Sequence, residues 1–207
     1  MRQTLLVALL LSSGLAFGQN QTVELNDKSD WWSLLRTPSH NPQLKPASGE
    51  LDISNFIIAG VNLTSSPFTS AIEKLGYAQK VKRGDASTAR RQLCYESKGK
   101  PPSFLVFESA EVSEGFYLFT SKKDWKGRKR CTDTTSAQAW KTDSGLRLGL
   151  SPAQVQTILG KPDDTHDNRV LYLRRFKQNN LDVTLYIEVR FADSRLNYLA
   201  ASRTETN

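Results

Sequence analysis

The chain has 207 residues, 38% of them hydrophobic and 24% charged, with a formal net charge of +7 at neutral pH. That length allows one large domain or two small ones with ample core, and past the N-terminus no stretch is long or apolar enough to cross a bilayer. The basic balance biases encounters toward acidic partners or anionic surfaces without naming one.

The first residues have the layout of a secretory signal. Arg2 is a positive start, residues 5–11 (Leu-Leu-Val-Ala-Leu-Leu-Leu) form an apolar run, and Ala16-Phe17-Gly18 places small residues at both recognition positions. Cleavage is expected after Gly18, with residues 1–18 as signal peptide. No cysteine stands directly after the apolar run, so attachment through a lipidated N-terminal Cys is not expected.

Residues 19–50 read as an irregular segment, with Pro38, Pro42 and Pro46 spaced among Ser, Asn and Gly. Within it, residues 29–35 suit one capped helical turn that packs Trp31 and Trp32 on the main body. From residue 51 to 63 the chain is strand-like, through Ile53, Phe56, Ile57, Ile58, Val61 and Leu63. Ser66-Pro67 then opens a short helix with Phe68, Ala71, Ile72 and Leu75 on one face, closed by Gly76. Three strand-like runs follow at residues 91–97, 104–108 and 116–121. A basic loop, residues 122–130, leads to Cys131.

The second half has the same order. Ser151 is a helix N-cap and Pro152 occupies the first helical position, where its missing N–H costs nothing. Val155, Ile158 and Leu159 share a face, and Gly160 with Pro162 ends the helix. A polar stretch, residues 163–168, precedes strands at 170–176, 183–191 and 196–202. In the middle one, Val183, Leu185, Ile187, Val189 and Phe191 alternate strictly with Thr184, Tyr186, Glu188 and Arg190, the pattern of a strand with core on one side and solvent on the other. Gly60, Leu63, Ser66 and Pro67 correspond to Gly145, Leu148, Ser151 and Pro152 at one constant spacing, which reads as an internal duplication. The expected fold class is therefore α+β: a tandem repeat of a short helix packed on an antiparallel sheet, the first copy over residues 51–131 and the second over 132–207.

The segment running from Gly149-Leu150-Ser151-Pro152 through Val155, Ile158 and Leu159 to Gly160-Lys161-Pro162, followed by Tyr172 and an alternating strand, resembles the signature of the SmpA/OmlA outer-membrane assembly lipoproteins. The tandem arrangement is similar to that of the β-lactamase inhibitory proteins, which double a helix-on-sheet unit. The resemblance covers residues 145–204 best and implies a scaffold that binds protein partners across its sheets. That family's lipid-attachment cysteine has no counterpart here.

Cys94 and Cys131 are the two cysteines, and an exported chain meets an oxidising compartment, so a disulfide between them is expected. Catalytic signatures are missing: there is no Gly-x-Ser-x-Gly elbow, no phosphate-cradling loop and no His-Glu-x-x-His. His40 and His166 are the only histidines. The cluster Asp163-Asp164-Thr165-His166-Asp167 has the donor types of a cation site but matches no loop spacing, so it reads as a solvated loop. Trp125 among Lys126, Arg128 and their basic neighbours reads as a connector or as a surface for an anionic glycan, lipid or acidic protein, and nucleic acid is not expected for an exported chain. Asn20 and Asn62 begin Asn-x-Thr sequons.

These features together lead to an exported, non-enzymatic protein-binding module, periplasmic or secreted, without cofactor or metal. A soluble accessory of cell-envelope assembly is the alternative. The candidate partner-binding residues are Trp125, Lys126 and Arg128 in the basic loop, with Tyr172, Tyr186, Glu188 and Arg190 as exposed sheet positions.

Overall fold

In a computed structural model, the described residues are 51–83, 89–99, 101–120, 131–134, 140–166 and 168–206. The expected signal peptide, the segment expected to be irregular with Trp31, Trp32 and His40, the Asn20 sequon, and Trp125, Lys126 and Arg128 lie outside them.

Described chain starts with a 3-10 turn, Ile53–Phe56, held by Asp52, whose side chain accepts from the Ser54 N–H. Strands β1 (Ile57–Ile58) and β2 (Val61–Asn62) form a small hairpin closed by Ala59 and Gly60, both at positive φ. Asn62 turns the chain onward, its Oδ1 accepting from the main chain and hydroxyl of Thr64. Helix α1 (Pro67–Leu75) follows, then β3 (Val81–Arg83), β4 (Arg90–Glu96), β5 (Phe104–Ser109), β6 (Ser113–Phe119) and β7 (Thr132–Asp133). The second half carries α2 (Pro152–Leu159), β8 (Asp164–His166), β9 (Arg169–Gln178), β10 (Leu181–Ala192) and β11 (Arg195–Thr206).

Both helices lie where capping and periodicity place them, but they start differently. Ser151 is extended, its Oγ accepts from the Gln154 N–H, and the Gln154 side chain accepts from the Ser151 N–H, a complete capping box. Ser66 sits at φ 43° and makes no side-chain cap. The shared Ser-Pro start thus hides two geometries, one stabilising and one strained.

The expected architecture of two helix-on-sheet units is overturned. Among the described residues nine strands form one sheet in the order β3-β4-β5-β6-β11-β10-β9-β8, with β7 added in parallel against β4. The fold is β-rich, with two short helices laid on it. The decisive contact is the antiparallel pairing of β6 with β11, from Tyr198↔Phe119 to Thr204↔Ser113. It buries the edges at which two separate sheets would have ended, and unpaired main-chain edges are costly to leave in a core. Helices of eight and nine residues are too short to organise a unit of their own.

One face of the sheet carries the main core. Ala71 of α1 and Val155 and Leu159 of α2 pack with Leu93, Leu105, Phe107, Phe116, Leu118, Ile187, Val189 and Leu199 in a single cluster. Val183, Leu185, Ile187 and Val189 of β10 point there as their alternation requires. The opposite face also buries its residues: Cys94, Phe104, Val106, Tyr117, Phe119, Tyr186, Tyr198 and Ala200 form a second cluster. Cys94 and Cys131 are joined in a disulfide across a separation of 37 residues, as expected.

The two helix starts can be separated by stability. Ser151→Ala should cost about 1 kcal/mol, the usual worth of such a cap. Ser66→Gly should instead stabilise by about 0.5 kcal/mol, because glycine relieves the left-handed strain and gives part of the gain back as unfolded-state entropy. Urea midpoints of the two variants should move in opposite directions.

Candidate functional site

Strand register sets out the second face as rows. One row runs Gln92, Glu108, Gly115, Ser202, Tyr186, Leu173 across six strands. The next runs Cys94, Val106, Tyr117, Ala200, Glu188, Leu171, and the third Glu96, Phe104, Phe119, Tyr198, Arg190, Arg169. A Cβ on Gly115 would stand 3.0 Å from the Ala201 carbonyl oxygen, so glycine permits the close approach of β6 to β11.

Two buried carboxylates organise this face. Glu188 Oε1 accepts from Arg169 Nε at 3.1 Å and from Arg190 Nε, while Oε2 accepts from the Tyr186 hydroxyl at 3.1 Å. Glu108 Oε1 accepts from the Tyr117 hydroxyl at 3.2 Å and lies 3.8 Å from an Arg90 nitrogen, while Oε2 accepts from Gln92 Nε2. The Arg190 guanidinium stacks 4.8 Å from the Tyr198 ring centroid, and Tyr198 stands 6.5 Å from Tyr117. The result is a chain of contacts from Arg90 to Arg169 that crosses both halves of the sheet.

Burial pushes the Tyr117, Tyr186 and Tyr198 phenols well above their ordinary range, and the neighbouring carboxylates, Glu108 for Tyr117 and Glu188 for the other two, push in the same direction. The phenols are therefore fixed as neutral hydrogen-bond donors. Both oxygens of both carboxylates are already held by donors. This is the chemistry of a structural polar layer, rather than of an acid or base waiting for substrate.

The expected exposed residues are thus corrected. Tyr186 is 1% exposed, Glu188 0% and Arg190 8%. They alternate in sequence as a solvent face would, yet they meet Arg169 and Tyr198 from adjacent strands and are covered. Tyr172 belongs to the other face: it pairs with Ile187 inside the apolar core, and burial, with Asp163 nearby, pushes its phenol up to about 12. No group of three or more His, Cys, Asp or Glu among the described residues could hold a metal ion. Asp163 instead accepts from the Leu173 N–H, and Asp164 from the Thr165 N–H.

A cleft of about 400 Å³ opens at one end of the sheet, and its apolar walls are Pro101, Trp140, Leu148 and Leu196. Ser97, Ser103, Arg195 and Asn197 supply its polar lining. Its lining comes from the β4–β5 connection, Thr120, Trp140, the turn before α2 and the start of β11. Ser97 and Ser103 share a hydroxyl–hydroxyl bond of 2.8 Å, the Gly149 N–H donates to Leu196 O at 2.8 Å, and Arg195 donates to Gly149 O at 3.2 Å. Periodicity gave no sign of this cleft, because Trp140 lies in a Ser/Thr-rich connector. An isolated tryptophan in such a segment was the available signal.

No protein-family model, curated protein or solved structure matches this chain. The likeness to the SmpA/OmlA lipoproteins rests on the residues of the second half alone, and function has to come from the geometry.

Two measurements probe the polar layer. Glu188→Ala leaves Arg169 and Arg190 without their buried counter-charge and should cost about 3–5 kcal/mol, the typical penalty for removing one side of a buried pair; an exposed control, Lys141→Ala, should leave the urea midpoint unchanged. The second is alkaline titration followed by phenolate absorbance. A phenol whose folded pKa lies above its unfolded value of about 10 contributes stability that is fully present below pH ~10 and lost as pH rises through the folded value. Phenolate signal from Tyr117, Tyr186 and Tyr198 should therefore emerge only together with unfolding, above pH ~10.

Proposed function

We propose that this chain is an exported, non-enzymatic protein-binding module that works in the periplasm or the surrounding medium. The signal-like N-terminus and the Cys94–Cys131 disulfide support the compartment, since disulfides persist where the environment is oxidising. None of the helices among the described residues is long and apolar enough to cross a membrane.

The Trp140 cleft is the observation that carries the reading. An apolar floor of tryptophan, leucine and proline with an arginine and an asparagine at its border has the make-up of a socket for one anchoring side chain of a partner. Its volume suits an anchor or a small ligand. Glu108 and Glu188, the carboxylates of the buried face, have both oxygens taken up by donors, which favours binding over catalysis on that face.

Capture from native envelope extracts tests this. Wild-type protein on a support should retain a defined protein partner. Leu148→Arg, which puts a charge into the cleft wall, should weaken that capture by about 30-fold, the loss of a hot spot worth ~2 kcal/mol, with the circular dichroism of the wild type. Equal capture by both proteins removes the cleft from the function. Capture of nothing by the wild type defeats the reading as a whole.

A further inference from the structure

We infer that the outer edge of β9 is a docking rail for an acidic, extended segment of a protein partner, which joins the sheet as an additional strand. This rests on the protein-binding reading and adds a second surface to it, remote from the cleft.

The edge follows from the ladder. β9 spans Arg169–Gln178, but its outer neighbour β8 pairs only with Arg169, Val170 and Leu171. On that side Leu171 O accepts from the Asp163 N–H at 2.9 Å, and the Leu173 N–H donates to Asp163 Oδ2 at 2.7 Å. Along a strand the N–H and C=O of every second residue face the same edge. Arg175 and Lys177 therefore direct their main-chain groups outward too. Among the described residues no strand pairs with β9 on that side beyond Leu171. From Leu173 to Lys177 this is about 14 Å of ladder at ~3.4 Å per residue. The opposite edge of the sheet offers less, since β3 has only three residues.

Charge selects the occupant. Arg174, Arg175 and Lys177 crowd one short stretch. Arg174 is engaged on the core side, 5.2 Å from the Phe176 ring centroid and donating to Leu51 O. Arg175 and Lys177 project from the other face and are exposed. Lys177 lies 3.8 Å from Asp182, a pair exposed enough to exchange partners readily. A second copy of this chain docking edge to edge would set basic residues against basic residues, which is destabilising. An acidic strand meets complementary charge on the same rungs. Asp163 already shows the preference, because its carboxylate sits on the first rung that β8 leaves open.

The probe is a fluorescein-labelled ten-residue peptide of alternating glutamate and valine. Its lysine–valine counterpart and a glutamate version N-methylated at every second residue serve as controls. In the free full-length protein the amides of Arg175 and Lys177 should exchange fast while those of Arg174 and Phe176 are protected. The glutamate peptide should slow exchange at Arg175 and Lys177. It should bind at least 10-fold tighter than either control. Arg175→Pro removes an outward main-chain donor together with one guanidinium, at an edge position where proline is tolerated, and should weaken binding at least 10-fold. If that variant does not fold, the double variant Arg175→Glu/Lys177→Glu should reverse the preference toward the lysine peptide. Protection of Arg175 and Lys177 in the free protein overturns the inference, as does binding indifferent to N-methylation and to charge. Should the edge fail while Leu148-dependent capture persists, the edge alone is wrong and the binding module stands.

Discussion

β6 and β11 pair along seven residues, and this ladder makes one sheet of what would otherwise be two meanders. Everything on the second face depends on it. Tyr117 on β6 and Tyr198 on β11 meet across this seam, with Glu108 and its donors on one side and Glu188 and its donors on the other. The seam is tight, since a Cβ at Gly115 would stand only 3.0 Å from the Ala201 carbonyl oxygen. A slip of one residue in register would turn Glu108 and Glu188 toward the cluster of Leu, Ile and Phe on the other face. Each buried carboxylate thus works against misregister as well as taking part in the native packing. Burial of charge adds little stability in itself, so specification of register is the more natural role for these rows.

The disulfide ties into the same face. Cys94 stands in the row of Val106, Tyr117 and Glu188, and Cys131 lies just before β7, which pairs in parallel with the end of β4. The chain that leaves β6 is thereby returned to β4 by a covalent bond and a short ladder together. Closure of a loop of this length restricts the unfolded chain by about 3–4 kcal/mol in the chain-entropy account. That contribution supports a fold in which two meanders of consecutive strands meet through one long-range ladder, β6 with β11.

What was legible in the sequence was local. The Ser-Pro starts and Leu-Gly stops place α1 and α2 within a residue or so, and the alternation of β10 correctly assigns Val183, Leu185, Ile187 and Val189 to the core. The disulfide followed from compartment and cysteine count. What could not be read was anything decided by the pairing of one strand with its neighbours. Tyr186, Glu188 and Arg190 carry polar atoms, and polar atoms at every second position imply water; only the pairing of β9, β10 and β11 supplies Arg169 and Tyr198 to cover them. Tyr172 lies in the core, and β9 has no clean alternation to show which face its residues take. The join of two halves into one sheet was invisible for the same reason: nothing local in β6 or β11 announces its partner. Two separate units and one continuous sheet are equally compatible with the pattern of short helices and strands.

Rigid faces have a consequence for where binding can occur. With both faces of the central strands packed, the surfaces left to a partner are the ends and edges of the sheet. At the end near α2 the Trp140 cleft is made of loops, and loops are normally the mobile part of a fold. Here the Leu196 N–H donates to Leu150 O and the Gly149 N–H to Leu196 O, which fastens the turn before α2 to β11, and the Ser97 N–H donates to Ser103 O, which closes the β4–β5 connection on itself. A cleft held in this way is formed before a partner arrives, and less ordering entropy is lost on contact. The sheet that gave up its faces to internal packing is therefore the scaffold that keeps its ends in shape.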